Sequence, residues 1–334
     1  MIRRSLSGEG TDRVRENPNA VGAPLPYAAQ LIQPTEFPML HESQPSAAQS
    51  EVDALVPSVK LNRRGFMVTS LGAGFAASVL PVSAQTITTS AEGLVAGEVK
   101  VPTKDGEMVA YRAMPASGSG FPVVLVVQEI FGVHEHIKDV CRRFAKLGYF
   151  AISAELFARQ GDVSKITEIP KIMTEVVSKV PDAQVMADLD ACVAFAKASG
   201  KANVDKLAVT GFCWGGRITW LYAAHNQNVK AGGAWYGRLV GATNAMTPAN
   251  PIDLVDKINA PVLGLYGDAD GGIPNDTVAK MEDALKAKGK KSKIILYPDA
   301  PHAFNADYRP SYRKATAEAA WKELLAWFKA NGVA

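Results

Sequence analysis

Leu207-Ala208-Val209-Thr210-Gly211-Phe212-Cys213-Trp214-Gly215-Gly216 runs from a short aliphatic segment through Gly-x-Cys-x-Gly toward a helix expected from Ile218 to His225. The pattern is strand, sharp turn, helix, with a nucleophile at the apex; cysteine stands where serine is commoner. So tight a turn leaves no room for side chains beside the nucleophile. Glycines at 211 and 215 meet that demand, and they let Cys213 take a strained conformation pointing outward. The following helix start offers free N–H groups and partial positive charge, which favours a thiolate. The N–H of Trp214 is the first expected oxyanion donor. The bland alternative is a Gly-rich strand-to-helix turn with a buried structural thiol.

Outward from this stretch, strands and helices alternate. Strands are expected at Gly97–Val101, Met108–Met114, Val123–Val127, Tyr149–Ser153, Leu207–Thr210, Ala231–Trp235, Val262–Tyr266 and Lys293–Tyr297. Helices are expected at His136–Leu147, 165–178, 182–199, Ile218–His225, Asn275–Lys288 and Tyr312–Asn331. Such alternation implies an α/β fold: a mostly parallel sheet of about eight strands with helices on both faces. Active sites of such sheets lie beyond the carboxyl ends of the strands.

Two loops agree with that geometry. Gly267-Asp268-Ala269-Asp270 follows one late strand, and Asp299-Ala300-Pro301-His302 follows the next. Nucleophile, acid and histidine appear in the chain order that elbow hydrolases use. His302 would take the thiol proton and return it to the leaving group; an aspartate would fix its tautomer. Asp268 and Asp270 both fit, since aspartate is also a common turn residue. Of five histidines, His41 lies in the N-terminal head, His225 near a helix end, and His134 and His136 at a helix start where they would cap or face solvent. Cys141 and Cys192 fall on apolar helix faces and read as core.

Composition narrows the rest. A net charge of +3 from 36 basic and 33 acidic residues excludes a nucleic-acid stripe. Three cysteines without short spacing exclude a disulfide framework or zinc site. No dinucleotide glycine fingerprint or cofactor-lysine motif is present, so neither cofactor nor metal is expected. Residues 1–61 are polar, aperiodic and rich in Pro and Ser, as in a disordered extension. Residues 62–84 carry Arg63-Arg64, a mildly apolar Val68–Val82 and the small-residue exit Val82-Ser83-Ala84. They resemble a twin-arginine export signal. A domain at 85–334 would then be exported through that machinery to the periplasm, as a monomer without a stable membrane anchor.

Residues from about 97 to 330 resemble the dienelactone hydrolase family, the carboxymethylenebutenolidases of the α/β-hydrolase superfamily. The matching segments are Gln128-Glu129-Ile130-Phe131-Gly132, Glu155-Leu156-Phe157-Ala158-Arg159, Gly211–Gly216, Asp270-Gly271-Gly272-Ile273-Pro274 and Pro301-His302-Ala303-Phe304. The resemblance implies hydrolysis of a small lactone or carboxylic ester by Cys213, Asp270 and His302, and so prefers Asp270 to Asp268. It implies that Glu129 modulates the thiol, that the Ile130 N–H is the second oxyanion donor, and that Arg159 binds a substrate carboxylate. Glu129 also reads on its own terms: a carboxylate at a strand end beside a thiol makes a poor core residue. Arg159 reads equally as a surface charge. One position departs from the family. Its best-known enzymes carry a second arginine four residues beyond the histidine, where this chain has Ala306, with Arg309 three residues further on. Two other readings remain: a non-catalytic binding protein on the same fold, and a hydrolase of thioester or peptide bonds.

Overall fold

The computed structural model describes residues 87–334. The extension and the export signal lie outside the described residues. The strands are β1 (Leu94–Thr103), β2 (Gly106–Pro115), β3 (Phe121–Val127), β4 (Phe150–Ala154), β5 (Ala202–Phe212), β6 (Val229–Trp235), β7 (Val262–Gly267) and β8 (Lys293–Tyr297). They form one sheet in the order β1-β2-β4-β3-β5-β6-β7-β8. β2 runs antiparallel to β1 and β4, and every pairing from β4 through β3 to β8 is parallel. This is an α/β-hydrolase fold. The central strands are aliphatic because both of their faces are covered: all five residues of β4 and all six of β7 are buried.

The helices are α1 (Glu135–Lys146), α2 (Asp182–Ala198), α3 (Trp214–His225), α4 (Asn275–Ala287) and α5 (Lys314–Ala330). α3 starts four residues earlier than its sequence suggests. Gly215 and Gly216 are poor helix formers, but they sit where the helix nearly touches the sheet. A Cβ on Gly215 would lie 2.5 Å from the carbonyl oxygens of Val127 and Gln128, and one on Gly216 would run into the Trp235 carbonyl. Cys141 and Cys192 are buried in the core.

The expected helix at 165–178 is replaced by a series of short turns: Val163–Lys165, Ile169–Lys171, Ile172–Val176 and Val177–Lys179. Thr174 and Ser178 each donate to the carbonyl four residues back, at 2.9 and 3.1 Å, a habit that bends helices. Ile169, Ile172, Met173, Val176 and Val177 are all buried; packing of these residues, rather than a regular ladder, fixes the segment. Among the described residues no helix is long and apolar enough to cross a membrane.

Candidate active site

Cys213 follows β5 directly, with φ 55° and ψ −116°. The left-handed backbone is strained for a residue bearing a Cβ. It is held on both sides: the Cys213 N–H donates to the Trp235 carbonyl at 3.0 Å, and the Cys213 carbonyl accepts from Gly216 and Arg217 at 2.9 and 3.2 Å. A Cβ on Gly211 would collide with the Gly215 carbonyl, so the strand and helix flanking the cysteine close on each other.

Asp270 follows β7 and His302 follows β8, both at the Cys213 end of the sheet. His302 Nδ1 lies 2.7 Å from Asp270 Oδ2. Asp270 Oδ1 accepts from the Gly272 N–H at 3.0 Å, which fixes the carboxylate. Asp268 has another occupation: its Oδ1 accepts the Asp299 N–H at 2.7 Å, at a position where φ is 55°. The Ala269 N–H donates to the Ala300 carbonyl at 3.2 Å. The acid and histidine loops are thus tied to each other. Burial pulls the His302 imidazole down, but the charges of Asp270 and Cys213 and the hydrogen bonds to both outweigh it and raise its pKa to about 10. His302 therefore holds a proton strongly when Asp270 and Cys213 are charged.

Glu129 lies two residues beyond Val127, which pairs with Gly211 two residues before Cys213. The parallel register thus brings the segment after β3 to the same end of the sheet as the elbow, and the charges of Glu129 and Cys213 both act on Tyr236. A small turn, with a bridge between Glu129 and Gly132, shapes the segment; Gly132 takes φ 76° there. Glu155 braces it by accepting the Val133 N–H at 3.2 Å. Glu129 is 1% exposed. Its Oε2 accepts from the Tyr308 hydroxyl at 2.6 Å and lies 3.3 Å from His134 Nε2. Burial pushes its pKa up, yet the His134 hydrogen bond and the charges of His134, His136 and Arg309 bring it down to about 2.

Arg159, the expected substrate anchor, is paired within the protein. Its guanidinium fork is filled by Asp188 of α2, at 2.7 and 3.0 Å, with Thr103 at 3.2 Å and Asp105 at 3.5 Å. The end-on face of the planar fork is thus bound bidentately to a carboxylate of the protein itself. Arg309, left open in the sequence, is the arginine that reaches the site. It is 8% exposed, lies 5.9 Å above the Phe131 ring, and its charge acts on Glu129. Nothing in its local pattern signals this; the loop after His302 folds back to bring it in.

Three further residues escaped the sequence reading. His136 neither caps nor faces water: it is buried, with Nδ1 3.0 Å from Asp307 Oδ1. Tyr308 donates its hydroxyl to buried Glu129. Tyr236, at φ 37° after β6, sets its ring edge against His302 with centroids 5.1 Å apart. Phe157 packs edge-on against Trp214 at 4.8 Å. Among the described residues no group of three His, Cys, Asp or Glu side chains is arranged to hold a metal ion.

Comparison with known proteins agrees with this architecture. Residues 108–332 match the model of the dienelactone hydrolase family. A protein of Methylorubrum extorquens named "Putative carboxymethylenebutenolidase" is 62% identical over 290 residues, covering 86% of this chain and all of that protein. A protein of the same name from Escherichia coli K12 is 50% identical over 267 residues, covering 80% of this chain and 98% of that protein. The crystal structure of a Klebsiella pneumoniae protein titled "Putative Dienelactone Hydrolase" shares 53% identity and superposes with a TM-score of 0.69, over 71% of this chain and 98% of that one. With the elbow and the two late loops in place, these matches make the chain a member of the dienelactone hydrolase family, a hydrolase of the α/β-hydrolase superfamily.

Proposed function

We propose that the protein hydrolyses a small lactone or carboxylic ester through a covalent thioester on Cys213. The reading rests on one arrangement: a cysteine at φ 55° on the elbow, with an Asp270–His302 pair at 2.7 Å on the loops after β7 and β8. His302 takes the Cys213 proton. The thiolate attacks the ester carbonyl, and the N–H groups of Ile130 and Trp214 receive the charge that develops on oxygen. As the tetrahedral species collapses, the C–O bond breaks and His302 returns its proton to the departing alkoxide. Water, deprotonated by His302, then cleaves the thioester and restores the thiol. Asp270 keeps the imidazole in the tautomer that faces the sulfur. Thiolate–imidazolium charge separation in a buried site is sustained by the same contacts that raise the His302 pKa.

The test is a panel of small lactones and short-chain aryl esters with wild type and Cys213→Ala. Wild type should turn over members of the panel with a burst of acyl-enzyme, and Cys213→Ala should lose turnover while keeping its circular-dichroism spectrum. Wild-type rates in Cys213→Ala would end the nucleophile assignment. A thioester or peptide bond as the preferred substrate would appear as turnover of those analogues and not of the esters. A binding-only protein would turn over none of them.

A further inference from the structure

The N–H that Ile130 would offer to the oxyanion belongs to a turn, and a turn is only as fixed as its two ends. The sheet sets the first end. Val127 pairs with Gly211 of β5, and a Cβ on Gly215 would lie 2.5 Å from the carbonyl oxygens of Val127 and Gln128. The chain entering the turn therefore lies directly against the first turn of α3, where Trp214, the other donor, begins the helix. Ile130 and Phe131 are the two central residues, closed by the bridge between Glu129 and Gly132. The second end has no strand to hold it, since Val133 leads straight into α1. It is held instead by a side chain from just beyond β4: Glu155 Oε1 accepts the Val133 N–H at 3.2 Å.

Glu155 is built as a brace. Its N–H donates to the Val109 carbonyl of β2 at 2.9 Å, and its carbonyl accepts from the Ala158 N–H at 3.2 Å, so its backbone is fixed on both sides. The carboxyl group turns inward although burial pushes its pKa up, as do the charges of Asp162 and Glu98; the Val133 N–H and Lys138 of α1 pull the other way. Its second oxygen also meets the turn: a Cβ on Gly132 would come within 3.1 Å of Glu155 Oε2 and of a Val163 methyl. Gly132 has φ 76°, a backbone that favours glycine. Carboxylate and turn are thus closely fitted. Oxyanion donors act by being aimed before the charge develops, and a misplacement of about 1 Å costs about a hundredfold in rate. We infer that Glu155 is a positioning residue that, through the Val133 N–H, holds the Ile130 N–H in place for the oxyanion. The inference deepens the reading of the site and rests on it: ester cleavage by Cys213, with Ile130 as a donor.

Two reactions at the same sulfur separate this role from general support of the fold. Ester cleavage builds negative charge on the carbonyl oxygen. Alkylation by iodoacetamide does not: the S–C bond forms at a saturated carbon, the C–I bond breaks, and iodide leaves. Glu155→Ala should lower kcat on an aryl ester by about tenfold to a hundredfold, less than the roughly hundredfold to thousandfold for removing a donor outright, with KM nearly unchanged. Its rate of Cys213 alkylation, followed by mass spectrometry of the Cys213 peptide, should match that of wild type. Glu155→Gln keeps an oxygen acceptor for the Val133 N–H and should recover most of kcat. Gly132→Ala disturbs the same contact from the other side and should reproduce the split between the two reactions if Glu155→Ala folds poorly. Wild-type kcat in Glu155→Ala overturns the inference, as does a parallel fall of alkylation and ester cleavage, or a Glu155→Gln no faster than Glu155→Ala. A wild type that cleaves no ester, or that cleaves esters with Cys213 fully alkylated, would instead overturn the reading of the site, and the inference with it.

Discussion

Asp268 and Asp270 differ by two positions and point to different tasks. Asp268 closes a turn by accepting the Asp299 N–H, whereas Asp270 meets His302 Nδ1. Asp270→Asn should therefore cut kcat by orders of magnitude, because the amide no longer selects the imidazole tautomer; the corresponding change in a serine triad costs about ten-thousandfold. Asp268→Asn keeps an acceptor for the Asp299 N–H and should change kcat little. Steady-state kinetics on one aryl ester ranks the two, and the reverse ranking would reassign the acid. The pair also shows what local sequence carries. Both aspartates suit a loop; loop chemistry alone does not tell them apart, whereas the family resemblance prefers Asp270 and the tertiary partner agrees. The same holds for Arg159 and Arg309: a guanidinium pairs with whatever carboxylate the fold brings near, and Asp188 is 29 residues away in the chain.

Among the elements, α3 has the most exacting placement. Arg217, in its first turn, forms a bidentate pair with Asp182 at the start of α2, at 2.7 and 2.8 Å, and donates to the Ala249 carbonyl at 2.7 Å. Arg217 is 1% exposed. Removing one partner of a buried pair strands the other charge and costs about 3–5 kcal/mol. Arg217→Ala should lower Tm by roughly 10 °C, and Asp182→Ala in the same chain should recover part of that loss. Calorimetry on the two single variants and the double variant decides it; additive losses would mean that the pair contributes packing rather than charge. Element boundaries were legible where hydrophobic period was strong. They failed at Gly215-Gly216, where contact with the sheet overrides helix propensity, and at 165–178, where side-chain packing overrides the regular ladder.

At the scale of the whole molecule, the order of strands, the elbow and the two late loops could be read from the sequence, because each is a local pattern repeated in a fixed order. The loop after His302 could not. Its residues Asp307, Tyr308 and Arg309 acquire their partners only by folding back onto α1 and the turn after β3. Export is a proposal on the same scale, resting on Arg63-Arg64 and Val82-Ser83-Ala84. Among the described residues the first tie to α1 is Thr89, whose N–H donates to Asp139 at 2.5 Å and whose carbonyl accepts from Arg142 at 2.9 Å. Mass spectrometry of the native protein should find its N-terminus near Gln85, upstream of this tie. An uncleaved cytoplasmic product would remove the export reading.

The ion pair between Arg159 and Asp188 bears on how such a site changes its diet over evolutionary time. With the fork closed on α2 and pinned to the β1–β2 turn by Thr103 and Asp105, that arginine works as a rivet between three parts of the molecule. A descendant that recruited it for acidic substrates would first have to release it, leaving Asp188, which is 2% exposed, as a buried charge with no counterion. That release would weaken the fold before the arginine could serve any other purpose.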